Sequence, residues 1–259
     1  MNSDIRPNTT NTVEEKDRLA IANLSTPALL LDVDILERNV AAMADRCAKH
    51  GVAMRPHVKT AKCLEIAAMV TAGQGGGITV STLREAAFFV DHGFEDIVYA
   101  VGIAAHKLDE VARLQAGGAR VAVICDAPST AVEIAARGAA LGVKFDVHLD
   151  IDCGYGRSGL APTDPKLLET ARLILTDDHT RLAGVLTHGG HAYKARSPAR
   201  CAEIAEQERA AVVAAAETLR AAGLPCPIVS AGSTPTAVHG HSWQGVDELR
   251  PGNYVFFDL

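Results

Sequence analysis

Residues 121–151 read VAVICDAPSTAVEIAARGAALGVKFDVHLDI, and the architecture follows from the pattern of apolar residues along them. A short β-branched run, Val121–Cys125, gives way to Ser129–Leu141, an Ala-rich segment with apolar residues three and four apart, and then to a second apolar run, Phe145–Ile151. Apolar runs of five to seven residues predict strands and the longer spaced segment predicts a helix, so the unit is strand–helix–strand. A crossover of helix length returns the chain to the same end of the sheet, so the two strands run parallel.

The unit repeats on both sides. Further apolar runs at Val52–Val58, Gly77–Val80, Ile97–Val101, Leu182–Thr187, Ile228–Ser230 and Val255–Phe257 bring the candidate strands to eight. Helical segments at Ala61–Ala72, Leu83–His92, His106–Ala116, Pro165–Thr176 and Pro198–Ala222 separate most of them, often ending near a glycine. Such strands either close into a barrel or stay open and doubly wound, and periodicity does not separate the two. The count of eight favours an α/β fold closed as a (β/α)₈ TIM barrel. Ahead of the barrel strands, Thr26–Val33 predicts a short apolar strand and Asp34–His50 an amphipathic helix. Residues 1–25 are expected to form a flexible arm and residues 26–259 the barrel.

At 259 residues the length suits one barrel. A hydrophobic share of 48% against 22% charged residues supplies a core and argues against disorder. The net charge of −6 offers no basic field for nucleic acid. No apolar run reaches the roughly 18 residues of a membrane span, which leaves a small molecule as the expected partner. The six cysteines, Cys47, Cys63, Cys125, Cys153, Cys201 and Cys226, show no CxxC spacing, so reduced and mostly buried thiols are expected. The polar first twenty residues lack an apolar leader segment, and the expected location is the cytoplasm.

In barrels of this kind chemistry sits at the C-terminal ends of the strands. There the sequence places Arg55-Pro-His-Val-Lys-Thr60, Asp150-Ile-Asp-Cys-Gly-Tyr-Gly-Arg-Ser-Gly159, His188-Gly-Gly-His-Ala-Tyr193, Ser230-Ala-Gly-Ser-Thr-Pro-Thr236 and Arg250-Pro-Gly-Asn-Tyr254. Gly232 lets the backbone approach a phosphate while Ser233 and Thr234 offer hydroxyls and amides to its oxygens. Lys59 follows a strand and points into an enclosed mouth, where burial and neighbouring cations such as Arg55 are expected to depress its pKa and expose a nucleophilic amine. Lys62 is the blander, surface lysine. An imine-forming lysine with a phosphate cup fits either pyridoxal phosphate or a phosphosugar imine, and spacing alone does not choose.

Together these five ordered motifs resemble the D-threonine aldolase and D-serine dehydratase family, within the fold-type III, alanine-racemase-like pyridoxal phosphate enzymes. The resemblance runs from about Thr26 to the last residue. It implies that Lys59 carries pyridoxal 5′-phosphate as a Schiff base, and that Gly232, Ser233, Thr234, Gly252 and Asn253 hold the phosphate. It further implies that Arg157 lies near the phenolic oxygen, that His191 and Tyr193 are catalytic residues lining the substrate entrance, Tyr193 touching the cofactor as well, and that His57, Tyr254 and Arg250 touch the cofactor; Arg250 matches the arginine at the pyridine nitrogen, the alternative being a structural salt-bridge arginine. The implied reaction is lysis of a β-hydroxy-D-amino acid, D-threonine cleavage to glycine and an aldehyde first, D-serine dehydration second. A non-catalytic carrier of the cofactor is a rival from another class. Where relatives often read Lys-Thr-His-Lys this chain has Lys59-Thr60-Ala61-Lys62, so that histidine's contact is absent. The family adds a β-rich second domain bearing a divalent metal (Mn, Mg or Zn) and forms homodimers. That domain is not part of this sequence, so none of its metal ligands is named.

Other polar groups have plainer readings. His188 with His191, and His239 with His241, are spaced to chelate but lack a carboxylate or cysteine partner. One of Asp150 and Asp152 is expected to anchor the following glycine loop, and Trp243 and Phe88-Phe89 to pack in the core or at its rim.

Overall fold

The computed structural model describes residues 21–75 and 77–257, in two units, residues 1–34 and 35–259. Most of the expected N-terminal arm therefore lies outside the described residues. The apolar run Thr26–Val33 forms no strand. A strand needs a ladder partner, Pro27 lacks a donor, and Leu29, Leu30 and Leu31 stand exposed.

The helix α1 spans Val33–His50 and buries Leu36, Met43 and Cys47. Then follow β1 (Ala53–Met54), α2 (Leu64–Thr71), β2 (Ile78–Val80), α3 (Leu83–Val90), β3 (Asp96–Gly102), α4 (Leu108–Ala116), β4 (Arg120–Cys125), α5 (Pro128–Leu141), β5 (Phe145–Ile151), α6 (Pro165–Thr176), β6 (Thr180–Thr187), α7 (Pro198–Ala221), β7 (Ile228–Ala231), α8 (Thr234–His239) and β8 (Glu248–Leu249). All pair in parallel, in the order β1-β8-β7-β6-β5-β4-β3-β2. The two ends of this sheet meet: Thr79 N–H donates to Pro56 O at 2.9 Å and Val58 N–H to Thr79 O at 3.0 Å. The sheet is thus closed into a barrel, which removes its edges.

The expected eighth strand, Val255–Phe257, is corrected. Residues 253–256 form a 3₁₀ turn, and the eighth position belongs to Glu248–Leu249. The ladder there continues through Arg55 N–H to Leu249 O and His57 N–H to Pro251 O, both 2.9 Å, so the segment after β8 is led straight to the mouth beside β1.

Strand side chains alternate between the barrel interior and the helices. On β5, Phe145, Val147, Leu149 and Ile151 join the large core beneath the helices, while Asp146, His148 and Asp150 take the alternate face. Val98, Ala122, Ile124 and Leu186 form a separate apolar cluster on that same alternate parity. Polar groups share the interior with them: Arg55, Ser230, Glu248 and Arg250 are all buried. The six cysteines are free, five of them buried, and Trp243 and Phe89 lie in the core with Phe88 at its rim.

Candidate active site

A cavity of about 370 Å³ opens at the C-terminal mouth, walled by His57 and Lys59 after β1, Asp150 at the end of β5, Arg157 and Ser158 after it, His188 after β6 and Arg250 after β8. Its far side is apolar, with Ala100, Val101, Ile124 and Leu186. That size and mix suit a small molecule.

Lys59 sits at the rim with its amine pKa lowered, first by partial loss of hydration and then by the charges of Arg157 and Arg250. The depressing cation expected from sequence, Arg55, is not involved. Four residues before Lys59 and next to the end of β1, it lies one layer deeper, where Nε meets Glu248 Oε2 at 2.7 Å and Nη2 meets Asp96 Oδ2 at 3.0 Å. Lys62 pairs with Glu85 at 3.2 Å and stays largely exposed, the surface role expected of it.

Both imidazoles of the wall are neutral. Burial, with Lys59, Arg250 and His188 adding positive charge, holds His57 well below its ordinary range. Burial and the Arg250, Arg157 and Lys59 charges push His188 down to about 3. The Asp150 carboxyl moves the other way: burial raises it, and the 2.8 Å hydrogen bond donated by Ser158 reduces that shift without reversing it. Asp152 is the loop anchor, its Oδ1 accepting the Gly154 and Gly156 amides at 2.9 and 3.0 Å. The sequence placed Asp150 and His188 at the mouth within their motifs but gave neither a catalytic or cofactor role; the signal that Asp150 faces the cavity was the period of two that carries Asp146, His148 and Asp150 to one face.

Arg250 is buried and pinned by Ser230 Oγ and the Thr187 carbonyl. Ser230 in turn donates to Glu248 Oε1 at 2.6 Å. A ladder of charge therefore runs from Arg250 through Ser230, Glu248 and Arg55 to Asp96, which also meets Arg120 at 2.6 Å. His148 lies within reach of this ladder, its Nδ1 without a hydrogen-bond partner among the described residues.

Burial, partly offset by Glu248 and reinforced by Arg250 and Arg55, lowers His148 to about 4. The unfolded chain, at an ordinary value near 6.5, takes up this proton first. Stability held by the neutral ring is therefore present above pH 6.5 and lost as pH falls toward 4, about 2 kcal/mol of it by pH 5. A His148→Gln variant, neutral throughout, is expected to lose correspondingly less stability between pH 7 and pH 5 in thermal melts. Parallel declines of variant and parent would remove His148 from the acid response.

The residues expected to hold a phosphate gather beside the cavity rather than in its wall. Gly252 and Asn253 amides converge on Thr234 Oγ1 at 3.1 and 3.0 Å, and Thr60 Oγ1 donates to Asn253 Oδ1 at 2.9 Å. A Cβ at Gly252 would stand 2.8 Å from His57 O, so only glycine permits that approach. Gly232 takes a φ of +95°, and Ser233 and Thr234 are buried with it. Tyr193 is exposed and hydrogen-bonded with Thr234. His191 stacks on Tyr155, ring centroids 5.7 Å apart, with neither ring nitrogen partnered among the described residues. Tyr254 is packed in the core, its hydroxyl donating to Met54 Sδ at 3.6 Å, and does not line the cavity.

An amine of lowered pKa and two arginines in the mouth, beside turns whose Gly252 and Asn253 amides point together at the Thr234 hydroxyl, fit a phosphorylated aldehyde. No three His, Cys, Asp or Glu side chains among the described residues gather to hold a metal ion, so these residues do not by themselves fit one. No helix among the described residues is long and apolar enough to cross a membrane.

Residues 31–259 match the model of the family described as alanine racemase, N-terminal domain. The chain is 46% identical over 239 residues to D-threo-3-hydroxyaspartate dehydratase of Delftia sp. (strain HT23), covering 92% of this chain and 63% of that enzyme. The solved structure of that enzyme superposes with a TM-score of 0.88 over 91% of this chain. D-serine dehydratase of Dictyostelium discoideum is 34% identical over 92% of this chain and 64% of its own length, and D-threonine aldolase of Arthrobacter sp is 30% identical over 92% and 62%. The chain thus spans somewhat under two thirds of the length of these curated relatives. With the family model matching nearly the whole barrel and the strand-end motifs in register around one mouth, the chain belongs to the alanine racemase N-terminal domain family, the barrel family of fold-type III pyridoxal phosphate proteins.

Proposed function

We propose that this chain is the cofactor barrel of a pyridoxal-phosphate-dependent lyase acting on β-hydroxy-D-amino acids. The observation that carries this reading is the Lys59 amine, lowered in pKa and open to a cavity that also holds Arg157 and Arg250. Lys59 holds the cofactor covalently, and the turns bearing Gly232–Thr234 and Gly252-Asn253 hold its phosphate. When bound, the cofactor supplies an electron sink for bonds at the substrate's α-carbon. The chain's own groups do the rest. The Lys59 amine, its pKa lowered by partial desolvation and by Arg157, gives up and takes back a proton more readily, the Arg157 and Arg250 guanidiniums neutralise anionic groups, and His57 and His188, both neutral, add no repulsion toward a cationic substrate amine.

Dehydration of a 3-hydroxy-D-aspartate-type substrate is the finer reading we favour over D-threonine cleavage. Two guanidiniums in the wall, Arg157 and Arg250, face one carboxyl there, Asp150, and so favour a substrate with a second carboxylate. The 46% identity to a D-threo-3-hydroxyaspartate dehydratase supports the same choice, against 30% to a D-threonine aldolase. Asp150, its pKa raised, is the cavity group able to hold a proton for a departing hydroxide.

The test incubates the purified chain and pyridoxal phosphate with D-threo-3-hydroxyaspartate, D-serine or D-threonine, with and without manganese. Ammonia and a 2-oxo acid from the dicarboxylic substrate is the expected result. Glycine and an aldehyde would assign cleavage instead, cofactor bound without turnover would assign a carrier, and no cofactor binding would overturn the reading altogether.

A further inference from the structure

Helix α7 presents a buried stripe of Cys201, Ile204, Ala205, Val212, Ala215, Ala216 and Leu219 to the barrel, and in its middle, on the same stripe, stands Glu208. The side chain is 0% exposed. Its Oε1 accepts two backbone amides from two different strand ends: Gly189 N–H at 2.5 Å in the turn after β6 and Gly232 N–H at 3.1 Å in the turn after β7. Oε2 makes no hydrogen bond of good geometry among the described residues, the Thr236 hydroxyl of the same turn standing nearest the carboxyl. Glu208 lies outside the cavity wall and the mechanism above does not use it, yet a buried carboxyl with one idle oxygen is costly unless its contacts fix something.

What it fixes is the join between two working turns. Ser233 Oγ also reaches Gly189 O at 3.5 Å, and His188, adjacent to Gly189, is hydrogen-bonded with the Gly232 backbone. Gly189 is fitted to the acid: a Cβ there would lie 2.9 Å from Glu208 Cδ and 3.0 Å from Oε2. Gly232, at a φ of +95°, begins the turn that carries Ser233 and Thr234. We infer that Glu208 is a positioning residue that shapes the phosphate-holding turn by clamping Gly189 and Gly232, so that preference for a phosphorylated over an unphosphorylated aldehyde passes through a carboxyl that touches neither. The inference rests on the cofactor reading above.

The experiment measures the affinity of the purified chain for pyridoxal phosphate and for pyridoxal, by absorbance titration, and reads their ratio. Pyridoxal reports the Lys59 amine alone and the ratio reports the cup. In Glu208→Leu, which strips both amides of their acceptor, the ratio is expected to fall on the order of 10- to 100-fold while pyridoxal affinity holds. Gly189→Ala leaves Glu208 in the chain but displaces its carboxyl. Its backbone φ of −72° suits alanine, and the same direction of change is expected. Glu208→Gln keeps one accepting oxygen and is expected to rescue the ratio to within about threefold of the parent. Should Glu208→Leu fail to fold, Gly189→Ala carries the test. An unchanged ratio, or equal losses for both aldehydes, overturns the clamp. A parent chain that binds both aldehydes equally, or neither, overturns the cofactor reading instead.

Discussion

Replacing Lys59 with alanine is expected to abolish covalent capture of pyridoxal phosphate and to lower lyase turnover at least about 10³-fold, while leaving the melting temperature of the cofactor-free chain close to that of the parent. Lys59 is the lysine in the cavity wall, and its amine is held toward the neutral, nucleophilic form by partial desolvation and by Arg157 and Arg250. Lys62 cannot take its place. It is tied to Glu85 at 3.2 Å, and its side chain, 62% exposed, does not line the cavity. Little stability is at stake because Lys59 is exposed and its amine joins none of the ion pairs among the described residues. The check is borohydride reduction in the presence of the cofactor, followed by mass analysis of the labelled peptide. A pyridoxyl label that persists in Lys59→Ala, on any other lysine and at parental yield, would sink the assignment.

How far the fold could be read from sequence depended on where apolar residues fall in a strand. β5 and α6 have the bounds their patterns predict, because β5 is apolar on its helix-facing side and α6 is amphipathic. β8 was misplaced for the opposite reason. It is two residues long, and its interior-facing Glu248 breaks the apolar run that marks a strand, whereas Val255–Phe257 has the run without a ladder. The same interior polarity governs the site. His57, Lys59, Arg157 and Arg250 were legible because they follow strands, the place where barrel chemistry gathers. Arg55 was assigned to the mouth, but it stands two residues before His57, the first wall residue after β1, and the roughly 7 Å that two extended residues span puts it in the layer below. Glu208 belongs to no motif. Only its spacing, four residues after Ile204 and four before Val212, marked a charge on a buried helical stripe.

The ladder beneath Arg250 leads to the largest expected loss of stability. Glu248 is 5% exposed and is the acceptor for both Arg55 Nε and Ser230 Oγ. Burial alone would raise its pKa, but Arg55 and the Ser230 hydrogen bond outweigh that and hold it ionised below the usual range. Glu248→Leu leaves two buried guanidiniums, Arg55 and Arg250, without this counter-charge, and removing one partner of a buried pair costs about 3–5 kcal/mol. For a chain of this size that corresponds to a fall in melting temperature of roughly 10 °C. Removing both partners is expected to cost less than the sum of the single changes, by about 1–3 kcal/mol, since Arg55→Met with Glu248→Leu leaves a smaller uncompensated charge. Strict additivity would show that the loss is one of packing rather than of charge. The ladder also reaches the mouth. Because Ser230 donates its proton to Glu248, its lone pairs are left facing Arg250, whose guanidinium is thereby fixed against the cavity. With Glu248 gone the hydroxyl is free to rotate, so cofactor affinity is expected to fall in Glu248→Leu even at temperatures where the variant is fully folded, and an unchanged affinity there would detach Arg250's placement from the ladder.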